Sequence, residues 1–210
     1  MLAFDIETKG LNKRLHDITI VCTQDYESGR RQSYEFEKCR REGGDIEALV
    51  RRMEAEFDNA TSLCAFNGVR FDIPFMEGLG ISNTKLLQWT LKCTDLLEQF
   101  RLRNMQTCSL NALAGANGVE LKSSDGKAAI GMAADGRWAE LEAYCAQDVA
   151  ILCNMHTRRF LKHPRTLEIM DLKQFSHVDV YGAALSTGSV SRLSKISQLL
   201  ADAQSLCCGS

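Results

Sequence analysis

Five side chains in three short segments carry the chemistry this sequence offers: Asp5 and Glu7 in FDIET, Asp72 in FNGVRFDIPFM, and Tyr144 with Asp148 in YCAQDV. From Leu2 to Glu7 apolar and acidic residues alternate. That puts Asp5 and Glu7 on one face of a strand and Leu2, Phe4 and Ile6 on the other. Two carboxylates losing water side by side repel, and burial raises their pKa values further. A divalent cation removes that cost, and oxygen ligands of this kind suit magnesium or manganese. Taken alone, an Asp-x-Glu strand is more often a solvated face than a metal site. Tyr144 and Asp148 stand four residues apart on an expected helix, so an acid and a phenol share one face about a turn from each other. The bland version of that pair is a packed tyrosine beside an ordinary helical acid. Asp72 follows Phe71 in the turn after an apolar stretch, where strand ends line clefts in open α/β sheets. Its bland version is a helix-start acid that favours the dipole.

These residues need elements to hold them. DITIVCTQD repeats the alternation through Ile18, Ile20 and Cys22, and RQSYEFE gives a third, more polar strand, so the chain opens as an antiparallel meander. In GGDIEALVRRMEAEF, Ile46, Leu49, Val50, Met53 and Phe57 fall at helical spacing behind Asp45, a capping residue. SLCAFN is a short buried strand, and Pro74 sits where the first turn of a helix begins. Lys85 to Gly118 reads as a short strand and two helices, the second ended by glycine. SSDGKAAIGMAADG is expected to be a loop with a little helix. Trp138, Leu141, Cys145, Val149 and Leu152 recur at steps of three and four, giving a long helix that stops by Pro164. Strands and helices in this order make an α/β layer protein. We expect a domain over residues 1–163 and a serine-rich tail over 164–210. In the tail Val190, Leu193, Ile196, Leu200 and Ala203 form an amphipathic stripe that docks on the domain or, alternatively, on a protein partner.

At 210 residues and 45% apolar, the chain buries one substantial core and has no room for a polymerase or helicase beside it. A net charge of -2 gives no global basic field, so phosphate contacts must come from local groups. Arg30 with Arg31, Lys38 with Arg40 and Arg41, Arg51 with Arg52, Arg101 with Arg103, and Arg158 with Arg159 are the candidates, against a reading as solvated surface. Nine cysteines without a C-x-x-C pair, and four histidines without zinc-like spacing, point to an intracellular, reducing compartment, cytoplasm or nucleus. No apolar run reaches membrane-span length, and a strand motif at the first residues leaves no leader peptide expected.

In all three motifs the chain resembles the DEDD 3'-to-5' exonucleases of the ribonuclease H-like superfamily, in the tyrosine-bearing subgroup. FDIET looks like their first motif, and Asn67-x-x-x-Phe71-Asp72 is similar to the second as found in B-family polymerase proofreading domains. Tyr144-x-x-x-Asp148 looks like the third; Ala143 stands five before Asp148, where the other subgroup has histidine. The stretch GKAAIGMAADGRWAELEAYCAQDV also resembles a loop and helix of small exonuclease-like domains, and the likeness covers roughly residues 1–160. Lys9 departs from the small or polar residue many relatives place before Gly10 and Leu11.

The resemblance implies a mixed five-stranded sheet flanked by helices, its first three strands antiparallel. It also implies two divalent cations, Mg2+ or Mn2+. Asp5 would bridge both, Glu7 and Asp148 complete one site, and Asp72 hold the other. The reaction would be in-line hydrolysis at single-stranded DNA or RNA 3' ends, releasing nucleoside 5'-monophosphates, with Tyr144 orienting the attacking water. An unperturbed phenol ionises near pH ~10, so Tyr144 need not be the base. Thr8, Leu11, Asn67 and Phe71 are the expected substrate contacts, Leu11 as a wedge against the terminal base and Phe71 by stacking. Two rivals stand beside this reading: a catalytically silent ribonuclease H-like module that binds nucleic acid or protein, and an assembly factor acting through its tail.

Overall fold

The architecture was obtained as a computed structural model that describes residues 1–103, 105–119 and 127–172. Three antiparallel strands open the chain: β1 (Leu2–Thr8), β2 (Ile18–Asp25) and β3 (Arg31–Tyr34). Two short strands, β4 (Leu63–Ala65) and β5 (Cys93–Asp95), then add in parallel on the other side of β1. The resulting order, β3-β2-β1-β4-β5, places β1 at the centre of a mixed five-stranded sheet.

Helices cover both faces. α1 (Phe36–Arg41), α2 (Ile46–Asn59), α3 (Asp72–Phe75) and α4 (Asn83–Leu91) belong to the first half. α5 (Leu96–Leu102), α6 (Leu110–Ala116), α7 (Lys127–Asp135) and α8 (Trp138–His156) belong to the second. A hairpin of β6 (Phe160–Lys162) and β7 (Ile169–Asp171) follows and buries Leu161 and Met170, so packed structure runs past Pro164.

The strand alternation splits the core in two. Leu2, Phe4 and Ile6 join Phe57, Met53 and Trp89 on one face. Ala3, Ile20, Cys22 and Cys64 join Leu113, Leu141, Tyr144, Cys145 and Leu152 on the other. Asp5 and Glu7 share the side of Ala3 and therefore look toward α8.

Several local expectations hold. Asp45 caps α2, its carboxylate accepting from the Ala48 amide at 2.8 Å. The apolar steps from Trp138 to Leu152 are one continuous helix. Others need correction. RQSYEFE is not all strand: β3 stops at Tyr34, and α1 opens at Phe36 because that ring is fully buried while Glu37 is drawn to Lys9 and Arg41. The stretch from Lys85 begins with a helix, α4, whose Leu86 and Trp89 bury one face, and the expected strand follows as β5. Residues 127–135, expected to be mostly loop, form a nine-residue helix. The stripe over 190–203 lies outside the described residues, as do Cys207 and Cys208.

Candidate active site

β1 supplies the first two acids. Asp5 and Glu7 remain partly exposed while Phe4 and Ile6 between and beside them are buried, so the strand holds the carboxylates against a fixed apolar backing. After Glu7 the pairing with β2 shifts register, which turns the chain out into the loop at residues 9–17.

The second motif reaches the first through a hydrogen bond. Asp72, the first residue of α3, is buried, and its Oδ1 accepts from the amide of Ile6 at 3.2 Å. The segment leading to it is held tightly. Asn67 adopts a left-handed backbone with φ 68°, and its carbonyl accepts from the amides of Arg70 and Phe71. Ile73 donates its amide to the carbonyl of Gly68 at 2.8 Å. Asp95, at the end of β5, then fixes both neighbours of this turn. Its carboxylate accepts from Asn67 and Val69 on one side and from Leu97 and Glu98, the start of α5, on the other.

The third motif comes from α8, where Tyr144, Cys145 and Asp148 are all buried. Cys145 Sγ lies 3.6 Å from Asp5 Oδ2 and 3.5 Å from the Asp5 carbonyl oxygen. The ligand atoms of Asp5, Glu7 and Cys145 all fall within 4.8 Å of one another. Burial, then the charge of Asp95 and, more weakly, that of Asp148, pushes the Asp72 carboxyl up to about 7. Thus Asp148 and Asp72 feel each other's charge across the site. Burial also raises Asp95, against the backbone amides that lower it. The Cys145 thiol is pushed well up, first by burial, then by the Cys22 thiol beside it and by Asp5 and Glu7.

Asp72 is raised chiefly by burial and by neighbouring negative charge, and a divalent cation beside it would replace that repulsion with attraction. Asp5 and Glu7 offer oxygens from one strand, and Asp72 and Asp148 from two helices, a hard donor set of the kind magnesium and manganese take.

The expected substrate contacts are placed differently. Leu11 is 83% exposed in the loop after β1. Phe71 packs its ring on Phe75, with centroids 4.6 Å apart. Asn67 Oδ1 is buried without a hydrogen-bond partner. Thr8 is buried, and its hydroxyl donates to the Gly10 carbonyl at 2.7 Å. Lys9 binds Glu37 at 2.8 Å. Burial works to raise the Glu37 carboxyl, yet Lys9 and Arg41 hold it below the usual range. Most of the candidate phosphate contacts have acidic partners: Arg30 with Glu56, Lys38 with Glu35, Arg40 and Arg41 with Glu37, Arg51 with Glu47, Arg101 with Glu98, and Arg159 with Asp171.

Two residues here escaped the sequence reading. Cys145 sits in an apolar helical stripe and looks like core. Asp95 had a signal in Asp95-x-x-Glu98, a capping pattern at the start of α5.

The RNase_H superfamily model matches residues 2–160, so the chain belongs to that superfamily. The sequence matches none of the curated proteins. Among solved structures, the chain is similar to the family B DNA polymerase of the hyperthermophilic archaeon Pyrobaculum calidifontis, with 19% identity and a TM-score of 0.56. That likeness covers 74% of this chain and 24% of the polymerase, which shares the fold over about a quarter of its length. Exonuclease I is also similar, at 18% identity and a TM-score of 0.49 over 73% of this chain and 39% of that one. E. coli exonuclease I in complex with an oligonucleotide gives 20% identity and 0.45, over 68% and 41%.

Proposed function

We propose that this protein is a metal-dependent 3'-to-5' exonuclease of the tyrosine-bearing DEDD subgroup, releasing nucleoside 5'-monophosphates from single-stranded DNA or RNA ends. One observation carries the reading: the Ile6 amide, between Asp5 and Glu7, donates to Asp72, drawing a carboxyl from another segment onto the strand that bears the first two. Asp148 joins them from α8, where its charge acts on Asp72.

Asp5, Glu7, Asp72 and Asp148 would hold two divalent cations, Mg2+ or Mn2+. When bound, these supply a nucleophile at neutral pH and neutralise the leaving 3' oxygen. Tyr144, on the same helix face as Asp148, orients the attacking water. Asn67 offers its buried Oδ1 to a substrate donor, and Leu11, free in its loop, wedges against the terminal base. Thr8 supports that loop through its bond to Gly10.

The test is incubation with 5'-labelled single-stranded DNA and RNA in magnesium, manganese or chelator, beside Asp5→Ala. The expected outcome is a metal-dependent ladder shortening from the 3' end, absent in the variant. No ladder on either polymer with either metal would favour the silent binding module instead.

A further inference from the structure

The loop at residues 9–17 leaves β1 directly after Glu7 and Thr8, and α3 opens at Asp72. The two segments that carry three of the acids therefore run on into the walls of one basic cavity, of about 110 Å³. Lys13, Arg14 and Arg40 line it with a single acid, Asp17, over an apolar floor of Ile18 and Phe75, both buried. Lys13 faces Glu77 at 2.7 Å and Arg40 faces Glu37 at 3.4 Å, but Arg14 has no acid of its own among the described residues. We infer that this cavity is a binding site for a phosphate group, supplied by the backbone of the strand whose 3' end lies on the acids. The strand as the source rests on the nuclease reading.

Donors, field and order all support it. Arg40 commits one nitrogen, Nη1, to the Ile18 carbonyl and Glu37, and Arg14 commits only its backbone amide, to Asn12 Oδ1 at 3.0 Å. Their guanidinium forks suit the paired oxygens of a phosphate. Walls of one sign above a low-dielectric floor focus the field into the space between them, which takes several waters or one phosphate group. The loop is also set before a ligand arrives. The Asn12 carbonyl accepts from the amides of Leu15 and His16, both at 2.9 Å, and the Lys9 amide donates to the Asp17 carbonyl at 3.0 Å. The Lys13–Glu77 pair then fastens the loop to the 3-10 turn at Met76–Leu79. Little ordering cost is left for binding to meet. Lys13 and Arg14 line a second hollow too, about 340 Å³, beside Pro74 and Glu77. It gives room for the sugar and base next to a backbone phosphate, room for which a free phosphate has no use.

The probe is a short 5'-fluorescein oligothymidylate, bound by the full chain in chelator so that nothing is cut, with anisotropy as the readout. Wild type is compared with Arg14→Ala and with Lys162→Ala, which removes an exposed cation from β6. Arg14→Ala should weaken binding about tenfold and make the salt slope shallower by about 1, while Lys162→Ala stays within about twofold. Arg14→Lys keeps the charge without the fork and should recover part of the loss. Neutral methylphosphonate linkages, placed one at a time, should reveal one position whose neutralisation weakens the wild type and leaves Arg14→Ala unaffected. Sodium phosphate titrated calorimetrically into wild type and Arg14→Ala is the second arm. Arg14-dependent uptake of phosphate with no coupled linkage keeps the phosphate site and assigns it to the free ion. The proposal is overturned if no linkage couples to Arg14, phosphate uptake does not depend on Arg14, and the Arg14 and Lys162 variants weaken binding alike. Circular dichroism checks each fold. A strand held through Arg14 but never shortened in magnesium counts against the nuclease reading alone, and a ladder from a protein indifferent to Arg14 in both arms counts against this site alone.

Discussion

Asp72 is the residue on which the site's electrostatics turn. Its carboxyl is pushed from 3.8 up to about 7 by burial, Asp95 and Asp148. Between those values the folded protein keeps a proton that the unfolded chain has released. The stability of metal-free protein therefore falls as pH rises through this window, on the order of 1 kcal/mol per pH unit, and levels off above it. Asp72→Asn removes the dependence and keeps the acceptor for Ile6. In thermal melts without metal the variant should be more stable than the wild type at pH ~8, and magnesium should no longer raise its midpoint. Tyr144→Phe should bind metal as the wild type does and cut on the order of 10² more slowly, since a misplaced nucleophile costs about that much. Single-turnover rates beside a metal titration separate the two effects; lost metal binding would contradict the role. At this scale the sequence was most legible where chemistry coincides with period. Asp5 and Glu7 follow from the alternation in FDIET, and Tyr144 with Asp148 from helical spacing. Cys145 was hidden because a thiol in an apolar stripe is indistinguishable from core until β1 is placed beneath it. Asp95 was hidden because two of its four amide partners, Asn67 and Val69, lie on a distant segment.

The turn from Phe66 to Phe71 works as a spacer between β4 and α3, and its close packing explains Gly68. A Cβ there would collide with the Ala65 side chain and press on Phe4 Cζ at 3.4 Å. Gly68→Ala should cost about 2 kcal/mol in denaturant unfolding, in line with overpacking elsewhere. Because the Gly68 carbonyl receives the Ile73 amide, the same change should shift Asp72 and weaken magnesium binding. Elements with a strong local period, β1, β2, α2 and α8, were legible from sequence. Misread elements were those whose state is set from afar. Phe36 fits a strand alternation equally well, and only its burial and the pull of Lys9 and Arg41 on Glu37 turn the chain into α1. α4 was taken for strand because Leu86, Leu87, Trp89 and Leu91 crowd into a short, largely apolar run, until the core claims Leu86 and Trp89 from one side.

For the whole molecule, net charge -2 and the pairing of surface cations act together. Lys9, Lys13, Arg30, Arg40, Arg41, Arg70 and Lys85 each face an acid at short range. Binding to single strands should then release few counterions. Measured with a metal-free or Asp5→Ala protein, affinity should fall with salt at a slope no steeper than about -2 on logarithmic axes, roughly three phosphates' worth. A much steeper slope would mean that a basic surface beyond the paired residues engages the strand. The division of the core into two faces also equips the protein with two distinct light emitters. Trp89 is fully buried on the face away from the acids, its indole N–H donating to Asp58 at 2.8 Å and its ring tilted against Phe57 with centroids 4.8 Å apart. Trp138 opens the helix that carries Tyr144 and Asp148 and lies under the Arg41 guanidinium, 5.1 Å from its ring centre. One indole thus reports the packing of the far side, while the other rides on the helix that carries Tyr144 and Asp148. In a Trp89→Phe background, the colour and brightness of Trp138 follow filling of the site in real time, with no label added.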